Sequence, residues 1–371
     1  MEKQQRSRCS YLPCCSYLLL VLSLLSLLTV QAVAQSLSKG KGDLRVMTYN
    51  VNEGTDYKEV QAAKTVTDFL IAVGQTITQV RATDPTTRMK YVAKQIIAAN
   101  ADLVSLQELD QWSTGPYDPV GNKCGAVSVE YDMLPTLMSE LTSQGAHYTI
   151  AKEAQNWAVE APGWILPQTF LCVQVVDEIA ILARTDLPGK LQWNNAQGSW
   201  FDTVLTFPSV VGPIPFERGW ISIDATFNGR EFRFIGTHLE SEDADIRKAQ
   251  GEEILLGPAN TSLPVIVAMD SNSPAFPLPQ GATYLDFMSA GFRDIWAETM
   301  PADPGLTCCQ AQLDNNVESQ LYERIDLLLT FGNVEGQRAV LFGADQASKT
   351  PSGLWPSDHA SVAAQVVILK H

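Results

Sequence analysis

The chain reads as an α/β protein built as one domain, and three observations carry that reading. Leu44–Tyr49 has the apolar run of a strand, residues 58–81 and 87–99 have helical spacing, and Asp102–Glu108 returns to a strand. Strand, helix, strand is the order of an α/β unit. From Val173 the pattern becomes almost wholly β, and no linker divides residues 43–371 into two parts.

Element by element, the first strand runs Leu44-Arg45-Val46-Met47-Thr48-Tyr49 and ends at Asn50. Asp84-Pro85 separates the two helical stretches, with Thr86-Thr87 suited to an N-cap. Residues 111–125 are rich in turn formers, and 129–144 have helical spacing up to Gly145. A strand is expected from His147 to about Lys152, followed over 153–170 by an aromatic loop containing Trp157, Trp164, Pro162 and Pro167. Strands follow at Glu178–Ala183, Trp220–Phe227 and Glu231–His238, and Asn228-Gly229 marks a hairpin turn. Ser241 is placed to cap a helix over 243–256 whose first turn is acidic. Beyond Val265–Met269 come a Pro-rich loop at 274–279, a helix near 283–290, and strands at Leu321–Thr330, Ala339–Phe342 and Ala360–Leu369.

With 371 residues and 45% hydrophobic content, the chain can bury a substantial core. Residues 1–34 read as a signal peptide: Lys3, Arg6 and Arg8 precede an apolar run at Tyr17–Val30, and Ala32-Val33-Ala34 offers a small-residue cleavage site. An uncleaved membrane anchor is the alternative. Residues 35–42 read as a flexible leader. Cleavage near Ala34 would release a secreted, periplasmic or extracellular protein whose net charge moves from −15 to −17, three basic residues and one acidic residue being lost. Such a charge argues against broad tracking along nucleic acid, while leaving room for a local phosphate site. Cys124, Cys172, Cys308 and Cys309 would remain. Cys124 with Cys172 is the expected bridge in an oxidising compartment, because adjacent cysteines such as Cys308 and Cys309 rarely pair with each other.

The stretch Val265-Ile266-Val267-Ala268-Met269 is a buried strand that runs into Asp270-Ser271-Asn272, placing a carboxylate and an amide on one side. Alone, those two are ordinary turn formers. Other strands, however, also end on polar groups: Asn50, Glu108, Glu178, His238, Asp326 and the Asp358-His359 pair. Hard oxygen donors without a cysteine–histidine cluster favour Mg2+, Mn2+ or Ca2+ over zinc. Two histidines among carboxylates suit acid–base work on a phosphate ester.

Six motifs then stand in one order: Met47-Thr48-Tyr49-Asn50-Val51, Leu106-Gln107-Glu108, Gly236-Thr237-His238-Leu239, Met269-Asp270-Ser271-Asn272, Arg324-Ile325-Asp326 and Ser357-Asp358-His359. In that order the chain resembles the endonuclease/exonuclease/phosphatase superfamily of DNase I-like phosphoesterases from about Leu44 to Leu369. The resemblance implies a four-layer α/β/β/α sandwich, two mostly antiparallel mixed sheets face to face with helices outside. It implies Glu108 as the main metal ligand, with Asn50 touching metal or phosphate and Asp358 as a further metal residue. Asp270 resembles the residue that orients the attacking water, Asn272 one that bonds a phosphate oxygen, and His359 with Asp326 a pair that handles the nucleophile's proton. Glu178 falls where a carboxylate partner of His238 is expected, and Arg218 where an arginine contacts the phosphate. A carboxylate partner would raise the pKa of His238. Ala268 and Ser271 depart from the glycine and aromatic usual beside the aspartate, and Ser361 from a usual proline.

The function expected is a secreted, divalent-metal-dependent phosphoesterase acting on a phosphodiester, nuclease-like first. A sphingomyelinase-like or inositol-phosphate enzyme is the alternative, and an inactive binding module on the same fold is the alternative of another class. The expected partner is a phosphate-ester substrate, whether nucleic acid, phospholipid head group or inositol phosphate, and the chain is expected to act as a monomer.

Overall fold

A computed structural model describes residues 43–187 and 190–370; the expected signal peptide and leader lie outside them. The first strand, β1 (Leu44–Asn50), is followed by helices α1 (Lys58–Ala62), α2 (Val66–Ala82) and α3 (Pro85–Ala99). Then come β2 (Leu103–Gln107), β3 (Gln111–Asp118), β4 (Lys123–Cys124), β5 (Ser128–Asp132) and α4 (Met133–Ser143). A long hairpin of β6 (Tyr148–Ile165) and β7 (Thr169–Arg184) leads to β8 (Leu191–Trp200) and a small hairpin, β9 (Leu205–Ser209) with β10 (Gly212–Phe216). The second half holds β11 (Gly219–Phe227), β12 (Arg230–His238), α5 (Ala244–Leu256), β13 (Val265–Asp270), α6 (Ala282–Ser289), β14 (Arg293–Asp294) and α7 (Ile295–Thr299). It closes with β15 (Asp326–Phe331), β16 (Val334–Phe342) and β17 (Ser361–Ile368).

Nine strands make one sheet, ordered β16-β17-β1-β2-β7-β3-β4 with β5 beside β3 and β6 beside β7; six make the other, ordered β14-β15-β13-β12-β11-β8. Each sheet contains a parallel pair joined across helix, β1 with β2 and β12 with β13, and the remaining pairs are antiparallel. Strand alternation then builds four layers. Leu44 and Val46 of β1 and Ile179 and Ile181 of β7 meet Phe234, Ile266 and Leu328 of the second sheet. On their other face Met47, Tyr49 and Leu106 pack on Val92 and Ile96 of α3 and Leu137 of α4. Ile235, Val267 and Leu329 do the same against Ile254 of α5 and Phe287 of α6. Each fully buried Leu, Ile or Phe contributes roughly 1.5–3 kcal/mol, so these three interfaces between the layers are the main source of stability. The sheets approach closely at Gly236, where a Cβ would lie 2.6 Å from Ser105 Oγ; glycine leaves that space free.

Several local expectations are corrected. The stretch 58–81 is two helices, because Thr65 starts a new one with a reciprocal capping box to Asp68. Asp84 is the N-cap of α3, with Pro85 at the first helical position, rather than Thr86 or Thr87. Asp243, not Ser241, caps α5. The turn-rich stretch 111–125 holds β3 and β4, and 129–132 is strand before α4 begins. The aromatic loop 153–170 is mostly strand. Among the described residues β6 pairs as a strand with β7 alone, which makes it an edge strand, a position where proline is tolerated, as at Pro162. Trp157 of β6 is buried with Phe69, Ile77 and Val80 of α2, and that packing holds the arm. Cys124 and Cys172 are bridged as expected, and Cys308 and Cys309 are also bonded to each other, against expectation.

Candidate active site

The polar strand ends converge because they share both a sheet end and a face. In the second sheet His238, Asp270 and Asp326 stand side by side in register, His238 opposite Asp270 and Asp270 opposite Asp326. They carry on the inward alternation of Phe234, Ile266 and Leu328, so all three project toward the first sheet. From the first sheet Asn50 continues the inward face of Leu44 and Val46, and Glu108 follows β2 with a φ of 58°. A positive φ on glutamate is uncommon and costs backbone energy. It turns the carboxylate back beside Asn50.

Asn50 joins the two sheets. Its Nδ2 donates to Glu108 Oε1 at 2.7 Å and to Asp270 Oδ2 at 2.9 Å. The other oxygen of each carboxylate takes a backbone N–H: Glu53 N donates to Glu108 Oε2 at 2.8 Å, and Asn272 N to Asp270 Oδ1 at 2.9 Å. On the far side Asp326 Oδ2 lies 2.8 Å from His359 Nδ1, leaving His359 Nε2 3.9 Å from Asp270 Oδ2. Ser357 ties the last loop down: its hydroxyl donates to the Asn50 carbonyl at 2.7 Å and accepts from the His359 N–H at 3.0 Å. Burial opposes a charge on His359, but Asp326, Asp358 and Asp270 outweigh it and hold its pKa well above the ordinary value. Burial raises Asp326 to about 6 against the pull of His359. Burial also acts against Asp270, yet the two histidines and the Asn50 and Asn272 bonds keep its pKa below the ordinary value.

His238 behaves differently from the expectation. Arg218, not Glu178, is its partner: Nη1 lies 2.7 Å from His238 Nδ1. Burial first and the guanidinium second lower its pKa to about 3, so the ring is neutral near pH 7 instead of carrying a favoured charge. Glu178 lies in the strand with Ala180 and Leu182, which pack toward the helices, and opposite Gln155 of β6. Asp177, in step with Ile179 and Ile181, faces inward and stands 3.6 Å from Arg218 Nη1. Glu178 and Asp177 are adjacent, and in a strand one residue changes the face. Arg218, expected on the substrate phosphate, borders the cleft but is 6% exposed and spends Nη1 on His238.

The donor set fits a hard cation. Burial and the repulsion of Asp358 push Glu108 up to about 7 against the pull of His359 and the bonds from Asn50 and the Glu53 N–H. Glu108, His238 and Asp270 each offer a ligand atom within 4.8 Å of the others, as do Asp270, Asp326 and His359. Asn50, Glu108 and Asp358, the expected metal residues, all border the same space or bond to it. A divalent ion held there would neutralise Glu108 and Asp358 and offset the charge of a bound phosphate.

Around this centre lies a cleft of about 340 Å³. Leu205 and Phe207 of β9, Phe216 of β10 and Tyr57 give it an apolar wall, and Cys308, Cys309 and Asp358 stand at its border. Sequence reasoning did not find Glu53, Asp177, Thr307 or this hairpin as parts of the site. Thr307 Oγ1 accepts from the N–H groups of Ile325 and Asp326 at 3.1 and 3.2 Å, and so seats Asp326. No pattern near Thr307 signals that contact; for Asp177, the inward alternation with Ile179 was the available signal.

A two-sheet sandwich with a carboxylate, amide and histidine–aspartate centre at its strand ends is the arrangement of a phosphoester hydrolase. The endonuclease/exonuclease/phosphatase family profile matches residues 47–359, and the chain belongs to that family. Solved structures share the fold at low identity. A family protein from Leptotrichia buccalis C-1013-b is 15% identical with a TM-score of 0.54, covering 87% of this chain and 99% of its own. One from Bacteroides vulgatus is 14% identical with a TM-score of 0.52, covering 89% and 100%. The mannosyl-6-phosphatase of Bacteroides thetaiotaomicron VPI-5482 is 16% identical with a TM-score of 0.50, covering 87% and 99%. No curated protein sequence matches the chain.

Proposed function

We propose that this protein is an exported phosphoesterase that uses a divalent cation, Mg2+ or Mn2+ with Ca2+ as the alternative, to hydrolyse a small phosphoester by activated water. The observation that carries this reading is the convergence of Asn50, Glu108 and Asp270 opposite the His359–Asp326 pair. In the reading, Glu108, Asn50 and Asp358 hold the cation, and the cation lowers the charge barrier to nucleophile approach. Asp270 orients the water and Asn272 bonds a phosphoryl oxygen. His359, its ring held by Asp326, moves the proton.

A small substrate suits the cleft better than nucleic acid. Asp56, Glu240, Glu242 and Glu323 line it beyond the centre itself, while its cations are Arg218, committed to His238, and Lys58, 2.7 Å from Asp56. Nucleic-acid sites instead offer Lys and Arg to several phosphates. The chain's net charge of −15 points the same way. The test is metal-dependent release from methyl p-nitrophenyl phosphate, inositol phosphates, sphingomyelin, DNA and RNA, beside Glu108→Ala. Release from the small esters that exceeds release from DNA, and is lost in the variant, is the expected result. Turnover of DNA above every small ester would restore the nuclease-like reading; no release from any substrate would favour a binding module.

A further inference from the structure

A second cavity opens beside the catalytic cleft, and the two share a wall. Tyr57, Gln61, Phe207 and Phe216 line both spaces. Behind them Phe69 and Val73 of α2, Trp157 and Ala161 of β6 and Val173 and Val175 of β7 enclose about 60 Å³, and the surface they show to it is apolar. Polar groups of that wall are spent elsewhere. The Tyr57 hydroxyl donates to Glu53 Oε2 at 2.8 Å, Trp112 Nε1 to the Glu53 carbonyl at 3.1 Å, and Thr76 Oγ1 to the Ala72 carbonyl at 3.1 Å. A water there would find none of the several polar partners it needs, so the space suits an apolar group.

The hairpin β9–β10 roofs this space by strand alternation. Phe207, Ile214 and Phe216 face in, while Thr206, Pro208, Pro213 and Pro215 are exposed. Among the described residues the hairpin pairs with no other strand, so its apolar face is what holds it over the cavity. The Phe216 ring centre lies 4.3 Å from that of Trp157 and 5.7 Å from that of Tyr57. Tyr57 bonds Glu53, whose backbone N–H donates to Glu108 at 2.8 Å, and this short chain of contacts runs from the cavity wall to the Glu108 carboxylate. Other borders of the cleft carry Asp56, Glu240, Glu242 and Glu323, which leaves this side as the place where an apolar part of a substrate can leave water. Since a cavity of about 150 Å³ takes benzene, 60 Å³ takes about two to three carbon atoms.

We propose that this cavity is a substrate subsite for a short alkyl group carried on the phosphate ester, and that it makes the enzyme prefer alkyl esters whose chain reaches it over methyl esters of the same charge. The phosphate ester rests on the function proposed above; the affinity of the cavity for an alkyl group does not.

Turnover of methyl, propyl, butyl, hexyl and dodecyl p-nitrophenyl phosphate with Mg2+ reads the subsite through kcat/KM. Each buried methylene adds about fourfold, so the expected result is a rise of about 15- to 60-fold over two to three consecutive carbons, then a plateau. Equal kcat/KM along the series overturns the subsite. A rise that continues to dodecyl overturns it too, by placing the chain on a longer surface outside the cavity. Ala161→Leu puts an isopropyl group into the space and is expected to abolish the gain, and a gain kept in that variant overturns the assignment. Val159→Phe, on the edge strand β6, is the filling variant to use where Ala161→Leu does not fold. A binding measurement separates the subsite from the hydrolytic reading. In 5-fluorotryptophan-labelled protein, with Trp157→Phe to assign its signal among the eight tryptophans, 1-butanol is expected to shift Trp157 saturably and methanol to leave it unmoved. No shift with 1-butanol overturns the subsite. Turnover of no ester with that shift present would end the phosphoesterase reading and leave the alkyl site standing.

Discussion

Asp326 and His359 meet at 2.8 Å, Oδ2 to Nδ1, although 33 residues separate them along the chain. Thr307 seats the aspartate and Ser357 the histidine, so the pair is set by two loops that also hold each other: Ala360 N donates to the Thr307 carbonyl at 2.7 Å.

Asp326→Asn should leave the fold intact and lower turnover of an activated phosphodiester by about a hundredfold or more, with His359→Ala at least as severe. Comparable turnover by either folded variant would end the role of the pair.

The same substitution has a pH signature. His359 has a folded pKa raised above its unfolded value, so the stabilisation it draws from Asp326 is full below about pH 6.5 and is lost as pH rises through the folded pKa. Thermal unfolding should therefore show a deficit for Asp326→Asn that is largest below about pH 6.5 and shrinks as pH rises.

Glu108 gives a dependence of the same sign in a lower pH window. It is a carboxyl whose pKa burial and Asp358 raise to about 7. Between the unfolded value of about 4.3 and 7 the folded chain binds more protons, so this group's contribution to stability falls as pH rises through that window. A divalent ion needs the carboxylate and reverses the loss. Calorimetric titration should show Mg2+ affinity rising from pH 5.5 to 7.5 and flattening above, and the ion should raise Tm more at pH 7.5 than at 5.5. Equal effects at both values would remove Glu108 from the ligand set.

Asn50→Ala removes the donor shared by Glu108 and Asp270. Two buried carboxylates left without that amide should cost about 1–3 kcal/mol of stability without metal, measured by denaturant unfolding. Added Mg2+ should restore part of it.

Reducing or removing the Cys124–Cys172 bridge opens a loop with a sequence separation of 48. Chain entropy puts the stabilisation at about 4 kcal/mol, so Cys124→Ala/Cys172→Ala should unfold at visibly lower denaturant while retaining turnover. The bridge joins β4 to β7, and neither cysteine lies among the catalytic groups.

Much of this molecule was legible without coordinates. β1, β2, β11, β12 and β13 were readable from apolar runs, and the polar residues that close them were readable as a set, because where a strand ends is a local property. Asn50, Glu108, His238, Asp270, Asp326 and His359 were all named from that alone. The long β6–β7 arm was not, since prolines and polar residues on an exposed edge strand look like loop until the partner strand and α2 are in place.

The partners were decided only in three dimensions. Arg218 opposite His238, Asp177 inward where Glu178 had been expected, and Thr307 beneath Asp326 all depend on which strand and loop meet across the two sheets. The strand's two-residue period tells which residues share a face, but a count uncertain by one residue exchanges the faces, and only packing removes that uncertainty. From the residues came the set of candidate site groups, and from the family they resemble the roles expected of them. From the fold came the neutral state of His238, because burial and a guanidinium 2.7 Å from Nδ1 outweigh the nearby carboxylates.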